Sequence, residues 1–365
     1  MKKWPAEWKI YDDESTGARV IQFTTHNSTN HPLYYLTNTF TPDSQGLIFV
    51  SDRDGRTNLY RGDLSTGEIV QLTDIPGLLP FSGNRVDHSV YFSTSHGEIA
   101  RLDLDSLIVE TLARIPEALL GEVTVNADRT KAVALCTRSG RPAFVVVDLL
   151  EKSHRFILDG AHALYHPQFH PTDPDLLVYS ADPPDPRIWA VRADGSDDRC
   201  VYRNSPDEWF VHEMFLGKSD DLIVVQFHKS IERIGYFTGE RKTIREMSAW
   251  HIASHPEGKW IVSDTHLPDI GLQLVNPETG EIHALCLTKA TNRGFQWHKD
   301  HPVSAEGAAP GYATMVEEGR EETTYGPQTS HPHPSFSPDG GWVAFTSDGT
   351  GNPQAYVVEV PEAFR

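Results

Sequence analysis

The sequence predicts a seven-bladed β-propeller, an all-β fold, and two observations support this. A repeat returns about every forty residues, and its two clearest units share an aromatic residue, a Pro-Asp turn, a short apolar strand, a Ser-Asp step and a glycine-containing turn. The chain shows no long stretch with the 3.6-residue period of an amphipathic helix. Seven four-stranded sheets arranged radially would bury both faces of each sheet between its neighbours.

The most regular copies of the repeat lie near the two ends of the chain, at 40–55 and 336–351. In the second copy Pro338 presets φ, Asp339 can bond its own backbone and Gly340 accepts a positive φ, so this tripeptide predicts a turn. Between them lie five degenerate copies, which begin near Ser82, Asn126, His170, Gly217 and His255. The total is seven units.

The chain is predicted to be one domain, residues 1–365, whose ring is closed by the N-terminal segment. The apolar run at 20–23 is suited to the outer strand of the last blade. A polar, glycine-containing stretch at about 287–327 breaks the repeat spacing. We interpret that stretch as a long insertion over one face, because loops of this length in compact domains tend to be functional or disordered.

Composition narrows the possible partners. The formal charge is −19, from 51 acidic and 32 basic residues, which argues against nucleic acid because phosphate binding needs a basic surface. No segment is apolar enough to span a membrane, and three scattered cysteines fit a reducing compartment. Because no apolar region follows the two N-terminal lysines, we expect no secretory signal. We expect a cytoplasmic protein with no protein partner implied, and an anionic substrate would need local cations.

The sharpest motif is the histidine pair His331 and His333, which stands three residues after Gln328 and just before the last Pro-Asp-Gly turn. In an extended segment residues i and i+2 point to the same side, and the flanking prolines favour an extended backbone. Two imidazoles and an amide oxygen could therefore converge on a mid-row divalent cation. The alternative is a surface turn, because two histidines are only part of a ligand set.

Other histidines occupy comparable places in neighbouring repeats. His212 precedes the strand at Leu222, and His251 precedes the turn at His255, so both stand where a blade's first strand is expected to start. His166 lies in the same zone of the fourth blade. Because equivalent residues of successive repeats are arranged in a ring around the propeller axis, we expect these side chains to face one central cavity. Each one alone could equally be a partly buried histidine with its hydrogen bonds satisfied.

Arg187 begins a strand, between a turn and Trp189. A guanidinium at such a place could hold a carboxylate through two parallel hydrogen bonds. The alternative is a surface arginine paired with Asp185.

Together these segments resemble the oligogalacturonate lyases, seven-bladed propeller polysaccharide lyases that act on short pectin fragments. The resemblance runs over nearly the whole chain, and its most specific part is the last motif. The matching segments are the blade at 40–60 with its Ser-Asp-Arg-Asp-Gly step, the strand at 185–189, His212-Glu213, Trp250-His251 and 328–336.

The resemblance implies a site and a cofactor. Carried over by position, the metal ligands would be His251, Gln328, His331 and His333, and the family's metal is Mn²⁺; another divalent transition metal is possible. His212 would be the base and Arg187 would hold the substrate carboxylate. We add Arg53 and His166 as candidate substrate contacts.

The expected reaction is β-elimination on a short acidic oligosaccharide, with His212 removing the C5 proton of a 4-linked uronate. The sequence departs from the family pattern at two places, and both affect the identity of the substrate sugar more than the type of reaction. The stretch at 179–184 lacks a His-Glu-Gly step that the family has before Arg187, and the insertion is divergent. The alternatives are the same chemistry on another uronide and a non-catalytic binding propeller. A serine peptidase is disfavoured because no G-x-S-x-G motif occurs.

Overall fold

The computed structural model describes residues 2–158, 163–182, 185–205, 207–266, 268–292 and 331–365. They form seven antiparallel sheets, five of four strands and two of five. Each of the seven hydrophobic clusters in the described chain joins two consecutive sheets, and one of them joins the last sheet to the first. The predicted seven-bladed propeller is confirmed.

The strands of the first three blades run outward from the central channel. Blade 1 consists of β4 Asn30–Pro32, β5 Gly46–Ser51, β6 Asn58–Asp63, β7 Ile69–Gln71 and the edge strand β1 Lys3–Trp4. Blade 2 consists of β8 Asn84–Val86, β9 Ser89–Ser93, β10 Glu98–Asp103 and β11 Val109–Arg114. Blade 3 consists of β12 Ala118–Val125, β13 Lys131–Arg138, β14 Arg141–Asp148 and β15 Ser153–Ile157.

The other four blades follow the same plan. Blade 4 consists of β16 Tyr165–Phe169, β17 Leu176–Ser180, β18 Ile188–Arg192 and β19 Arg199–Tyr202. Blade 5 consists of β20 Phe210–Phe215, β21 Asp221–Gln226, β22 Ser230–Gly235 and β23 Arg241–Glu246. Blade 6 consists of β24 Ala249–Ser254, β25 Ile261–Thr265, β26 Leu272–Val275 and β27 Ile282–Cys286. Blade 7 consists of β28 Ser335–Phe336, β29 Trp342–Ser347, β30 Gln354–Glu359, β3 Arg19–Gln22 and β2 Lys9–Asp12.

The N-terminal segment closes the ring, as predicted, but with one more strand than expected. Strand β3 pairs with β30, with Val20 opposite Val358. Strand β2 then adds outside β3, so the apolar run is the fourth strand of blade 7 and not its outermost. Strand β1 crosses to blade 1, where Lys3 pairs with Val70. The same segment therefore joins the last blade to the first.

The repeat units read from the sequence begin one strand late. Asn126 follows the innermost strand β12 and His255 follows the innermost strand β24, so the turn that marks each repeat unit lies inside a blade and not at its start. The sequence pattern did not reveal the innermost strands, because irregular backbone interrupts their alternation of apolar and polar residues. The predicted insertion falls almost entirely outside the described residues, and the single-domain assignment remains a prediction. A short 3-10 helix, Glu362–Phe364, ends the chain.

The three cysteines are free. In the described ranges no helix has the length and apolar character needed to cross a membrane.

Candidate active site

A β-bulge occurs at the same level of the innermost strand in four consecutive blades. The ladder shifts between Leu120 and Val123, Tyr165 and Gln168, Val211 and Met214, and Ala249 and Ile252. At each shift two residues oppose one residue of the next strand, and such an arrangement turns a side chain out of the regular alternation. The bulged pairs are Gly121-Glu122, His166-Pro167, His212-Glu213 and Trp250-His251.

Blade 7 continues the series through its histidine pair. The carbonyl of Pro332 accepts a hydrogen bond from Thr346, and Ser335 next pairs with Ala344, so His333 and Pro334 together oppose one residue. His333 adopts a φ of 47°, close to the values of 49° at His166 and 58° at His212. The expectation of an extended backbone is therefore wrong at His333. Left-handed backbone at non-glycine residues is costly, of order 1–3 kcal/mol each, and is concentrated at functional sites.

The bulges bring together the three histidines predicted from two distant stretches of the chain. The nearest ligand nitrogens of His251, His331 and His333 all lie within 4.8 Å of one another, and all three side chains are buried. The ring centroids of His251 and His333 are 4.0 Å apart. Nε2 of His333 is buried and has no hydrogen-bond partner among the described residues. Gln328, the fourth predicted ligand, lies outside those residues.

Asp264, which the sequence reasoning missed, orients His251 from the neighbouring strand. Its Oδ2 lies 2.8 Å from Nδ1 of His251, and its Oδ1 accepts the His251 backbone N–H. A proton on Nδ1 leaves Nε2 as the ligand atom, an arrangement that carboxylates commonly impose on metal-binding histidines. Burial raises the pKa of Asp264 to about 7, against hydrogen bonds that favour its charge. The available signal was the Ser-Asp step of the repeat, here Ser263-Asp264.

Burial favours the neutral form of His251 and His333, and neutral imidazole is the form that binds metals. Burial and then the charge of neighbouring histidines lower the pKa of His251 well below its usual range. The same two causes lower the pKa of His333. Three imidazoles that converge at this distance fit a mid-row divalent transition metal better than Mg²⁺ or Ca²⁺.

His212 lies beside the cluster, and one of its two ring nitrogens is already hydrogen-bonded. Its Nδ1–H donates to the carbonyl of Trp250 at 2.6 Å, which leaves the lone pair on Nε2. No described residue bonds that Nε2. The ring centroid lies 4.3 Å from that of His251. Burial and then the charges of His251 and Arg187 lower the pKa of His212 well below its usual range, so this histidine is a neutral base.

Arg187 is buried, and the interpretation as a surface arginine paired with Asp185 is wrong. Its Nε donates to Glu213 at 2.8 Å and its Nη1 to Asp182 at 3.0 Å. Glu213 is the second residue of the blade 5 bulge, so one bulge supplies both His212 and the partner of Arg187. Burial disfavours the charged guanidinium, but Glu213 and Asp182 outweigh that effect and raise the pKa of Arg187.

Ser180 occupies the region where the family's His-Glu-Gly step is missing. Its hydroxyl donates to Glu213, which already accepts from Arg187. The departure from the family pattern therefore lies in the buried network that holds Arg187.

Of the two weaker candidates, only His166 joins the site. Its Nδ1 lies 2.9 and 3.0 Å from the carboxylate oxygens of Glu122, the bulged residue of blade 3. Burial opposes a charge on His166, but Glu122 outweighs it and raises the pKa. Arg53 is fully buried within blade 1, where it donates to Glu7 at 2.7 Å and to Asn30 at 2.8 Å.

Two tyrosines that the sequence reasoning did not single out lie among the histidines. The ring centroid of Tyr35 lies 5.6 Å from that of His212 and 5.5 Å from that of His251. Tyr34 lies against His166 at 5.7 Å. Burial and then the neighbouring Tyr34 raise the pKa of Tyr35 well above its usual range. No motif marks this dipeptide in the sequence.

Comparison with known proteins shows which family this chain resembles. The model of the oligogalacturonate lyase family matches residues 1–142. An oligogalacturonide lyase of Pectobacterium atrosepticum and an oligogalacturonate lyase of Dickeya dadantii are each 27% identical, over 99% of this chain and 98% of the relative.

Solved structures agree over the same extent. An oligogalacturonate lyase in complex with manganese superposes with a TM-score of 0.83 at 26% identity, covering 100% of this chain and 98% of the other. An oligogalacturonate lyase from Vibrio parahaemolyticus, at 22% identity and a TM-score of 0.82, covers 100% and 99% and supports the fold. The predicted resemblance to the oligogalacturonate lyases, and with it the prediction of a polysaccharide lyase, is confirmed.

Proposed function

We propose that this protein cleaves short uronic-acid oligosaccharides, oligogalacturonate first among them, by β-elimination in the cytoplasm. The observation that carries the proposal is the cluster of His251, His331 and His333 with the neutral base His212 at its edge. The relatives of matching length are named as lyases of oligogalacturonate or oligogalacturonide, which supports the substrate class.

His251, His331 and His333 would hold a divalent metal ion, and Gln328 is proposed as a further ligand from the family resemblance. The donor set fits such an ion because burial lowers the pKa values of His251 and His333, and because Asp264 fixes the tautomer of His251. Mn²⁺ is the proposed ion, since a related structure contains manganese. When bound, the ion would supply positive charge and Lewis acidity to the carboxylate of a uronate.

His212 would act as the general base. A neutral imidazole with a free Nε2 lone pair can accept the proton from C5 of the uronate. The electron pair of that C–H bond forms the C4–C5 double bond, and the bond between C4 and the glycosidic oxygen breaks. The leaving oxygen takes a proton from water, so the products are a 4,5-unsaturated uronide and a shortened sugar.

Arg187 would face the substrate carboxylate with its remaining nitrogen. Its Nε and Nη1 are held by Glu213 and Asp182, and no described residue bonds Nη2. This fixed guanidinium offers one charge-assisted hydrogen bond without having to reorient. Local cations of this kind are needed, because a protein with a net charge of −19 repels an anionic sugar at long range.

His166 would add a second cation to the site, because Glu122 raises its pKa and so favours its protonated form. Arg53 remains a predicted substrate contact, but its guanidinium is already bonded to Glu7 and Asn30. Substrate binding therefore depends more on His166 than on Arg53.

The test is a lyase assay on the metal-loaded protein with saturated di- and trigalacturonate and with glucuronate-containing disaccharides. We expect a 4,5-unsaturated product, detected by its ultraviolet absorbance, from the galacturonates. Activity should disappear after chelation and return on addition of Mn²⁺. Full activity after complete chelation would contradict the metal requirement, and cleavage of the glucuronates alone would contradict the choice of sugar.

A further inference from the structure

Tyr35 lies in an enlarged loop of blade 1 that takes the place of the bulges in blades 3 to 6. The loop leaves the ladder after Pro32, which pairs with Phe49, and rejoins it at Phe40, which bridges to Leu47. Thr39 closes the base of the loop, because its hydroxyl accepts from the Leu33 amide at 2.9 Å and donates to a carbonyl of β5 at 2.6 Å. The loop is therefore a fixed element.

This loop carries the phenol ring of Tyr35 into the middle of the candidate site. Its centroid is within 6 Å of three site histidines, at 5.6 Å from His212, 5.5 Å from His251 and 5.9 Å from His333. The side chain is only 1% exposed. Tyr35 thus contacts the proposed base and two of the proposed metal ligands at once.

The hydroxyl of Tyr35 is buried and has no hydrogen-bond partner among the described residues. Two other buried tyrosine hydroxyls have a partner: that of Tyr236 donates to the carbonyl of Leu177 at 3.1 Å, and that of Tyr179 donates to Asp198 at 2.6 Å. A buried donor without a partner destabilises a protein and calls for an explanation, of which a role in the site is one.

We propose that the Tyr35 hydroxyl donates a hydrogen bond to an oxygen of the bound uronate, which makes Tyr35 a further catalytic residue. The inference rests on the proposed function, since the uronate is the ligand that it names. When C5 loses its proton, negative charge develops on the sugar's carboxylate. A preorganised neutral donor in a water-poor site stabilises such charge more than water does.

Tyr35→Phe tests the inference because it removes only the hydroxyl. Tyr60→Phe is the matched control, since Tyr60 also has a buried hydroxyl without a partner among the described residues but lies in the core between blades 7 and 1. For the Tyr35 variant we expect kcat on digalacturonate to fall by about 100-fold. The Tyr60 variant should stay near the wild-type value.

Two further readouts separate a catalytic role from a structural one. Binding of D-galacturonate, which has no leaving sugar, should weaken by about 3- to 10-fold in the Tyr35 variant, measured by calorimetry on the Mn²⁺-loaded protein. Without sugar, Tyr35→Phe should keep its metal content, and its Tm should stay the same or rise by about 2 °C, because the change deletes an unpaired donor.

Each outcome is decisive. Wild-type kcat and galacturonate affinity in Tyr35→Phe would overturn the role of Tyr35 and leave the proposed function standing. Loss of activity together with loss of metal or a lower Tm would also overturn it, because the hydroxyl would then be structural. A wild-type protein that neither cleaves nor binds any uronide would overturn both proposals.

Discussion

Two sets of buried histidines in blades 4 to 6 have opposite roles. His212 and His251 lie in bulges of the innermost strands and turn toward one another. His170 and His255 lie in the turns that follow innermost strands, where their Nδ1 accepts backbone N–H groups, from Asp173 at 3.1 Å and from Glu257 at 3.1 Å.

The difference lies in the hydrogen bonds that each ring nitrogen makes, because exposure does not separate the sets. All four side chains are at most 5% exposed. The turn histidines use Nδ1 as an acceptor that satisfies their own backbone, which is a folding role. The site histidines use Nδ1 as a donor, to a carbonyl at His212 and to a carboxylate at His251, and so keep Nε2 for chemistry.

The largest expected contrast between the sets is in turnover. His212→Ala should lower kcat on digalacturonate by about 1000-fold, because no other neutral base is held at that place. His255→Asn, which keeps an acceptor near the Glu257 amide, should stay within about twofold of wild type because it changes only a turn. Steady-state kinetics on both metal-loaded variants provides the test. Equal losses of kcat in the two variants would contradict the distinction between site histidines and turn histidines.

A second contrast concerns buried and exposed ion pairs. Arg187→Met should lower the free energy of unfolding by about 3–5 kcal/mol, because it leaves Glu213 and Asp182 buried without their cation. Arg101→Met removes a pair with Glu110 whose side chains are 40% and 36% exposed, so it should cost no more than about 1 kcal/mol. Urea unfolding of the two variants measures both values. An Arg187 variant as stable as the Arg101 variant would show that the buried network does not hold the blades.

The smallest contrast separates two aspartates that each follow a serine. Asp264→Asn should weaken Mn²⁺ binding by about 10- to 100-fold, because the amide holds the His251 tautomer less well. Asp52→Asn should leave Mn²⁺ affinity unchanged, because Asp52 only accepts the Thr29 amide at 2.9 Å. Isothermal titration with Mn²⁺ compares them. Equal Mn²⁺ affinities of the two variants would contradict the proposed role of Asp264 in orienting His251.

The sequence was sufficient for the blade count, because a radial fold repeats its turn and strand signals in every unit. The sequence also predicted that His251 lies close to His331 and His333, because equivalent positions of neighbouring blades face one channel. Both predictions use periodicity, which survives in a degenerate repeat.

The features that escaped prediction are those that interrupt the period. A bulge shifts the alternation by one residue, so the innermost strands could not be read and His212 was placed before its strand and not within it. Asp264 belongs to a Ser-Asp step whose role changes from blade to blade. Tyr35 lies in a loop without a motif, and the burial of Arg187 depends on Glu213 from the next blade.

The central claim is that His251, His331 and His333 hold one divalent ion beside His212. Anomalous diffraction at the manganese edge, from crystals grown with Mn²⁺, tests it most directly. We predict a single strong peak within coordination distance of all three imidazoles. An active enzyme whose anomalous peak lies elsewhere, or which shows no peak at these histidines, would contradict the account.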